Sequence, residues 1–184
     1  MIKKELITIQ SEAWFDEDKG HRYVFRRQWS TNPSNSKKES LAAVVTIRPG
    51  GTSAYVEDLT MLLVEKNIRK LGFDGFIAVN LFSSVKSGTK YGTDKNTLEV
   101  ISTVLKDKQI DQVIFACGSV LGTNQLAGKQ AKDIYEQLSS KQQTQAKVLI
   151  DPSTKKFAHP LNCLVRKEWI CESLTKEDLS RLVR

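Results

Sequence analysis

Three cysteines, two histidines and four prolines are spread over 184 residues, and these scarcities exclude a good deal. Cys117, Cys163 and Cys171 are odd in number and widely spaced, so neither a disulfide framework nor a zinc ribbon is expected. His21 and His159 lack clustered ligating partners, and no metal site is indicated. No apolar run approaches the roughly 20 residues that cross a bilayer. The start, Met1-Ile2-Lys3-Lys4-Glu5, has no signal-peptide apolar stretch, so a cytoplasmic chain without membrane association is expected. No Gly-x-Gly-x-x-Gly, Gly-x-Ser-x-Gly or His-Glu-x-x-His occurs. The stretch Gly122 to Gln130 imitates a phosphate-binding P-loop but has five intervening residues and no Ser or Thr after Lys129. No cofactor is expected.

Concentrated charge is missing too. The chain carries 28 Lys+Arg against 21 Asp+Glu, a formal charge of +7, yet no block of like charge exists. A nucleic-acid footprint is usually a clustered stripe or arm, so the diffuse excess gives only modest support for such a partner. What is present is an ordinary globular composition, 40% hydrophobic and 27% charged. The length fits one domain, taken here as residues 1–184.

The hydrophobic pattern is that of an α/β protein. Arg22 to Trp29 alternates like a half-buried antiparallel strand, with Tyr23, Phe25 and Arg27 on one side. Leu6 to Ile9 could pair with it across the acidic turn at residues 16–20. Arg22, Arg26 and Arg27 read as a solvated edge. Leu41–Ile47, Gly75–Val79, Gln112–Ala116 and Lys147–Ile150 are short apolar runs of the kind buried on both faces. Helical spacing falls between them, at about 56–71, from Asp94 onward and at about 123–139, with Gly72 stopping the first helix. Thr175 and Asp178 signal a terminal helix over about 175–184. The expected fold is a three-layer α/β/α sandwich. Its mainly parallel sheet has about four core strands, with an N-terminal antiparallel strand or hairpin at the edge.

Open parallel sheets bind ligands outside the carboxyl ends of their strands, which singles out four loops. These are Arg48-Pro49-Gly50-Gly51, Asn80-Leu81-Phe82, Cys117-Gly118-Ser119, and Asp151 to Leu161 with His159-Pro160 inside it. Glycines at 50 and 51 would let backbone N–H groups approach an anion, and Arg48 adds a fork of donors. The Asn80 amide, with donors and an acceptor, suits a nucleobase edge. His159 has an imidazole poised near neutrality. Each has a structural alternative, as a turn, a loop cap or a packed histidine, and Cys117 reads as a small buried residue.

The order of these segments resembles the bacterial family called domain of unknown function 1643, over about residues 21–165. The carriers are Arg22 to Trp29, Arg48-Pro49 with Asp58-Leu59-Thr60, and Leu71 to Phe82. Ala116-Cys117-Gly118 and His159-Pro160-Leu161 complete them. Two departures occur: that family has Asn-Pro-Ser where Arg48-Pro49-Gly50 stands, and Trp-Gly where Cys117-Gly118 stands. The chain is more distantly similar to the uracil-DNA glycosylase fold. That similarity implies a base-reading role for Asn80, and for His159 a place near the departing base. The Arg48-Pro49-Gly50 loop would correspond to the water-activating segment, although it lacks a carboxylate or amide, and Glu57 and Asp58 lie further along.

Two functions follow as expectations. The first is a site for a nucleobase, nucleotide or DNA at the carboxyl edge of the sheet. It would rest on Asn80 and His159, with Phe82 or Tyr55 stacking and Arg48, Lys86, Lys90, Lys155 and Lys156 holding phosphates. Were it an enzyme, it would be a hydrolase of an N-glycosidic bond. The second is a non-catalytic module with a degenerate site, binding a protein or small ligand.

Overall fold

A computed structural model describes residues 2–30, 39–51, 53–54, 58–86 and 92–182. Among the described residues seven strands are present: β1 (Thr8–Phe15), β2 (Arg22–Ser30), β3 (Leu41–Thr46), β4 (Gly75–Asn80), β5 (Ile110–Phe115), β6 (Lys147–Ile150) and β7 (Ile170–Ser173). They form one sheet in the order β1-β2-β4-β3-β5-β6-β7. Its centre, β4-β3-β5-β6, is parallel, while β2 runs antiparallel to β4, β1 to β2, and β7 to β6. The described helices are α1 (Leu59–Lys70), α2 (Thr97–Leu105), α3 (Val120–Thr123), α4 (Gln125–Glu136), α5 (Ser140–Gln145) and α6 (Lys176–Leu182). The fold is mixed α/β, with the expected parallel strands and N-terminal hairpin. Among the described residues no helix is long and apolar enough to cross a membrane.

The apolar runs are buried on both faces because each face has its own core. All six residues of β3 are buried. Leu41, Ala43 and Val45 pack with Ile101, Leu105 and Ile134 from α2 and α4. Ala42 and Val44 pack with Met61, Val64 and Ile68 of α1. At about 1.5–3 kcal/mol for each fully buried Val, Leu or Ile, such strands supply much of the stabilisation.

Helix limits follow local chemistry. Asp58 caps α1, its Oδ1 accepting from Met61 N at 2.9 Å. Gly72, with φ +86°, ends that helix in the left-handed region. Thr175 and Asp178 form the reciprocal cap of α6, with Asp178 Oδ2 accepting from Thr175 N at 3.0 Å and Thr175 Oγ1 from Asp178 N at 3.2 Å.

The structure differs from the sequence reading in detail. The buried face of α1 carries Met61, Leu63, Val64 and Ile68, whereas Leu59, Leu62 and the capping Leu71 stay about half exposed. Strand β2 is covered by β1 and is no edge. Its arginines are engaged accordingly: Arg26 pairs with Asp107 at 3.3 Å and Arg27 with Glu65 at 3.0 Å. Finally, β7 and α5 were not expected.

Candidate functional site at the carboxyl edge of the sheet

Strand β3 lies between β4 and β5, so the chain leaves it to one side and later returns to the other. That reversal makes the β3 and β5 carboxyl ends the natural ligand crevice of the sheet. The polar side chains gathered at this edge are Arg22, Thr46, Asn80, Asp58 and His159.

Arg22 arrives through a bulge. The β1–β2 ladder pairs Trp14 with Val24 and Phe15 with Arg22, leaving Tyr23 as an extra residue. Tyr23 and Val24 therefore both enter the core on the α2 face. Arg22 turns to the α1 face, its guanidinium 5.4 Å from the ring centroid of Phe25. It is 2% exposed. Nη1 donates to Gly51 O at 3.3 Å, while Nε and Nη2 are buried without a partner. Burial lowers its pKa from the usual arginine value, and the nearby Asp58 charge opposes that shift.

Asn80 ends β4 on the same face as Phe76 and Ala78, and is 2% exposed. Thr46 Oγ1 donates to its Oδ1 at 2.8 Å, and Nδ2 is buried and unpartnered. The amide oxygen is thus engaged, and the atom of Asn80 left without a partner is the donor Nδ2.

His159 sits on the segment that returns after β6. Ala158 N donates to Leu149 O at 2.8 Å. The segment is also tied by Asp151, whose Oδ1 accepts from Ser153 Oγ at 2.6 Å, Ser153 N at 2.8 Å and Thr154 N at 3.1 Å. Asn162 Nδ2 donates to Asp151 Oδ2 at 3.2 Å. These bonds, led by that from the Ser153 hydroxyl, hold the Asp151 carboxyl down at about 2. His159 Nδ1 accepts from Leu161 N at 3.2 Å, which puts the proton of the neutral ring on Nε2. Burial lowers the His159 pKa, and Asp58 again opposes it. Gly118, with φ +69°, faces this histidine: a Cβ there would lie 3.0 Å from His159 Cβ.

Asp58 therefore acts on both Arg22 and His159, although it forms no ion pair with either among the described residues. Its Oδ2 lies against Gly50, where an added Cβ would come within 1.5 Å. Folding brings to the first loop the carboxylate that its own sequence lacks.

The remaining expected residues scatter. Arg48 is exposed, Pro49 buried and Gly51 half-buried, its carbonyl taken by Arg22. Phe82 is 1% exposed and belongs to the core on the α2 face, which makes it a packing residue rather than an open stacking surface. Lys86 is exposed. Lys155 and Lys156 line a groove of about 370 Å³ with Ser119, Gly122, Thr123 and Phe157, and Lys155 pairs with Glu172 at 3.3 Å. Tyr55 and Lys90 lie outside the described residues. Cys117 is buried, with its Sγ donating to Val45 O at 3.3 Å, and burial pushes its thiol pKa far up, which excludes a ready thiolate. Among the described residues no cluster of three or more His, Cys, Asp or Glu could hold a metal ion.

A second polar network went unforeseen, on the other side of the sheet. Tyr23 OH donates to Asp94 Oδ2 at 2.6 Å and Thr97 Oγ1 to Asp94 Oδ1 at 2.8 Å. Ser83 Oγ lies 2.7 Å from both Thr97 Oγ1 and His21 Nδ1. Because Thr97 gives its proton to Asp94, Ser83 gives its own to Thr97 and must accept from His21. A serine nucleophile needs the opposite polarity, donating to its histidine, so this network is a fastening for α2. Arg22 was missed as well, and its signal was the break in alternation at Tyr23-Val24-Phe25.

The family profile described as protein of unknown function (DUF1643) matches residues 22–161, a span running from Arg22 through His159. No curated protein and no solved structure matches the chain significantly. Arg22, Asn80 and His159 thus all fall within the matched span, and the chain belongs to the DUF1643 family of proteins of unknown function.

Proposed function

We propose that the carboxyl edge of this sheet binds a nucleobase or nucleotide, on a three-layer α/β/α framework of the uracil-DNA glycosylase kind. The observation that carries the reading is the Asn80 amide. It is buried and pinned by Thr46 through its oxygen, with Nδ2 left as an unpartnered donor. A planar amide held this way is organised for a ring carbonyl, and an unpaired buried donor costs about 1–3 kcal/mol until an acceptor arrives. His159, neutral with its proton on Nε2, adds a second donor where negative charge would collect on a departing base. The glycosylase comparison rests on position, with Asn80 closing the second core strand and His159 beyond the fourth. Lys155 and Lys156, along their groove, would meet phosphates.

The test is titration of free bases, nucleosides and short single-stranded DNA against the protein and its Asn80→Ala and His159→Ala variants, with product analysis for released base. At least tenfold weaker binding in Asn80→Ala is expected. Affinity unchanged from the natural protein in both variants would overturn the reading. A non-catalytic module using the same site is favoured by the Arg48-Pro49-Gly50 loop, which has no carboxylate or amide of its own, while Asp58 beside it already caps α1 through Oδ1. Binding without released base would decide for it.

A further inference from the structure

The base site formed by Asn80 and His159 leaves Arg22 without a ligand. We infer that Arg22 is the anchor of an oxyanion subsite, which takes a phosphate or carboxylate group edge-on in its Nε–Nη2 fork. This deepens the proposed function by naming the group that accompanies the base, but it stands on different atoms.

The orphaned atoms are Nε and Nη2, and these two N–H bonds run parallel along one side of the guanidinium. That edge matches two oxygens of one carboxylate or phosphate, the strongest pairing an arginine makes. The remaining nitrogen, Nη1, is held by Gly51 O and the guanidinium lies near the Phe25 ring, so the orientation of the fork is fixed before any ligand arrives. The charge has no ion-pair partner among the described residues. A buried cation normally has one, since an uncompensated charge in the interior is strongly destabilising. Arg26 and Arg27, on the same strand, each have a carboxylate; Arg22, the most buried of the three, does not. Asp58 contributes at longer range and cannot fill the fork, because its Oδ1 caps α1 and its Oδ2 lies against Gly50.

The bulge at Tyr23 strengthens the inference. Regular pairing would leave Arg22 on the α2 face, whereas one extra residue aims it at the face that carries Asn80. Bulges recur where a strand must re-aim one side chain at a site. Both orphaned atoms are closed to water here, so solvent does not satisfy them.

The experiment uses the full chain, with inorganic phosphate, acetate, a nucleoside and its 5′-monophosphate as probes. Calorimetric titration and thermal unfolding are read for the natural protein, Arg22→Lys and Arg22→Met. Phosphate or acetate should raise the unfolding temperature of the natural protein only, and the preferred one identifies the group. Arg22→Lys, which keeps charge but loses the fork, should bind at least tenfold more weakly. Arg22→Met, of similar size without charge, should be at least as stable as the natural protein in the absence of anion. A strongly destabilised Arg22→Met, or equal anion binding by all three proteins, would overturn the subsite. Nucleoside binding without anion binding would overturn the subsite and leave the base-binding reading standing. Anion binding without nucleoside binding would do the reverse.

Discussion

Replacing Gly118 by alanine tests whether the β5 exit and the His159 segment are fitted to each other. Two costs add. The backbone at 118 has φ +69°, where a residue with a Cβ pays about 1–2 kcal/mol. The new methyl would also lie 3.0 Å from His159 Cβ and 3.2 Å from His159 N, inside normal contact distance. The neighbour cannot swing aside like the end of a lysine, since the contacted atoms belong to the histidine's own backbone and first carbon. Its segment is further pinned by the Ala158–Leu149 hydrogen bond. Overpacking of this kind costs about 1–3 kcal/mol, giving a combined loss of about 3 kcal/mol. For a chain of this size that corresponds to roughly 6–12 °C in unfolding temperature. Urea unfolding of the two proteins, with the slope checked for constancy, measures the loss. A Gly118→Asn variant separates the terms, because asparagine tolerates the left-handed region yet still carries a Cβ. A loss below about 1 kcal/mol in Gly118→Ala would show that the segment moves away freely, and the fixed placement of His159 would fall with it.

Two further outcomes are expected. Thr46→Val removes the hydroxyl that holds Asn80 Oδ1 and leaves that oxygen unpaired, which should cost about 1–3 kcal/mol by denaturant titration; a neutral result would mean that Asn80 finds its orientation elsewhere. The Asp151 carboxyl, held at about 2 in the folded chain against 3.8 ordinarily, gives stability that is complete above about 4 and lost as pH falls toward 2. Asp151→Asn should flatten the acid limb of the stability profile over that window, and an unchanged limb would refute the assignment.

The parallel core was legible because strands buried on both faces must be nearly continuously apolar, and Leu41 to Val45 and Phe76 to Val79 are. Asn80 was legible as the polar residue closing a buried strand, and His159 as a histidine in the loop that follows the last parallel strand. Arg22 was not, because an arginine opening a strand ordinarily faces water, and its burial depends on one bulged residue. Asp58 was legible as a helix cap but not as a site residue. Its place against Gly50 and its action on His159 arise between residues distant in sequence or across a loop, and no local pattern encodes them. The covered face of α1 was not legible from spacing alone, because Leu59 and Leu62 recur at helical spacing as Met61, Val64 and Ile68 do, and only the sheet decides which stripe is covered.

Asp58 is also where binding and catalysis part. It is the acidic group that acts on both Arg22 and His159, and it raises the pKa of each against the effect of burial. Asp58→Asn keeps a good helix cap and removes only the charge. Without that charge the His159 pKa should fall further, which an NMR titration of the imidazole reads directly. The folded His159 already lies below its ordinary value, so in the unfolded chain it takes up its proton first as pH drops below about 6.5. Stability is therefore complete above that pH and declines below it, and the decline should reach to lower pH in the variant. If the site only binds, loss of a negative charge beside Arg22 should tighten any oxyanion and cost nothing else. If it hydrolyses a glycosidic bond, Asp58 is the carboxylate available to orient water, and turnover should drop by 10²-fold or more, within the roughly 10²–10⁴ of acid–base catalysis, with binding intact. An imidazole that titrates identically in both proteins would refute the coupling from which both outcomes follow.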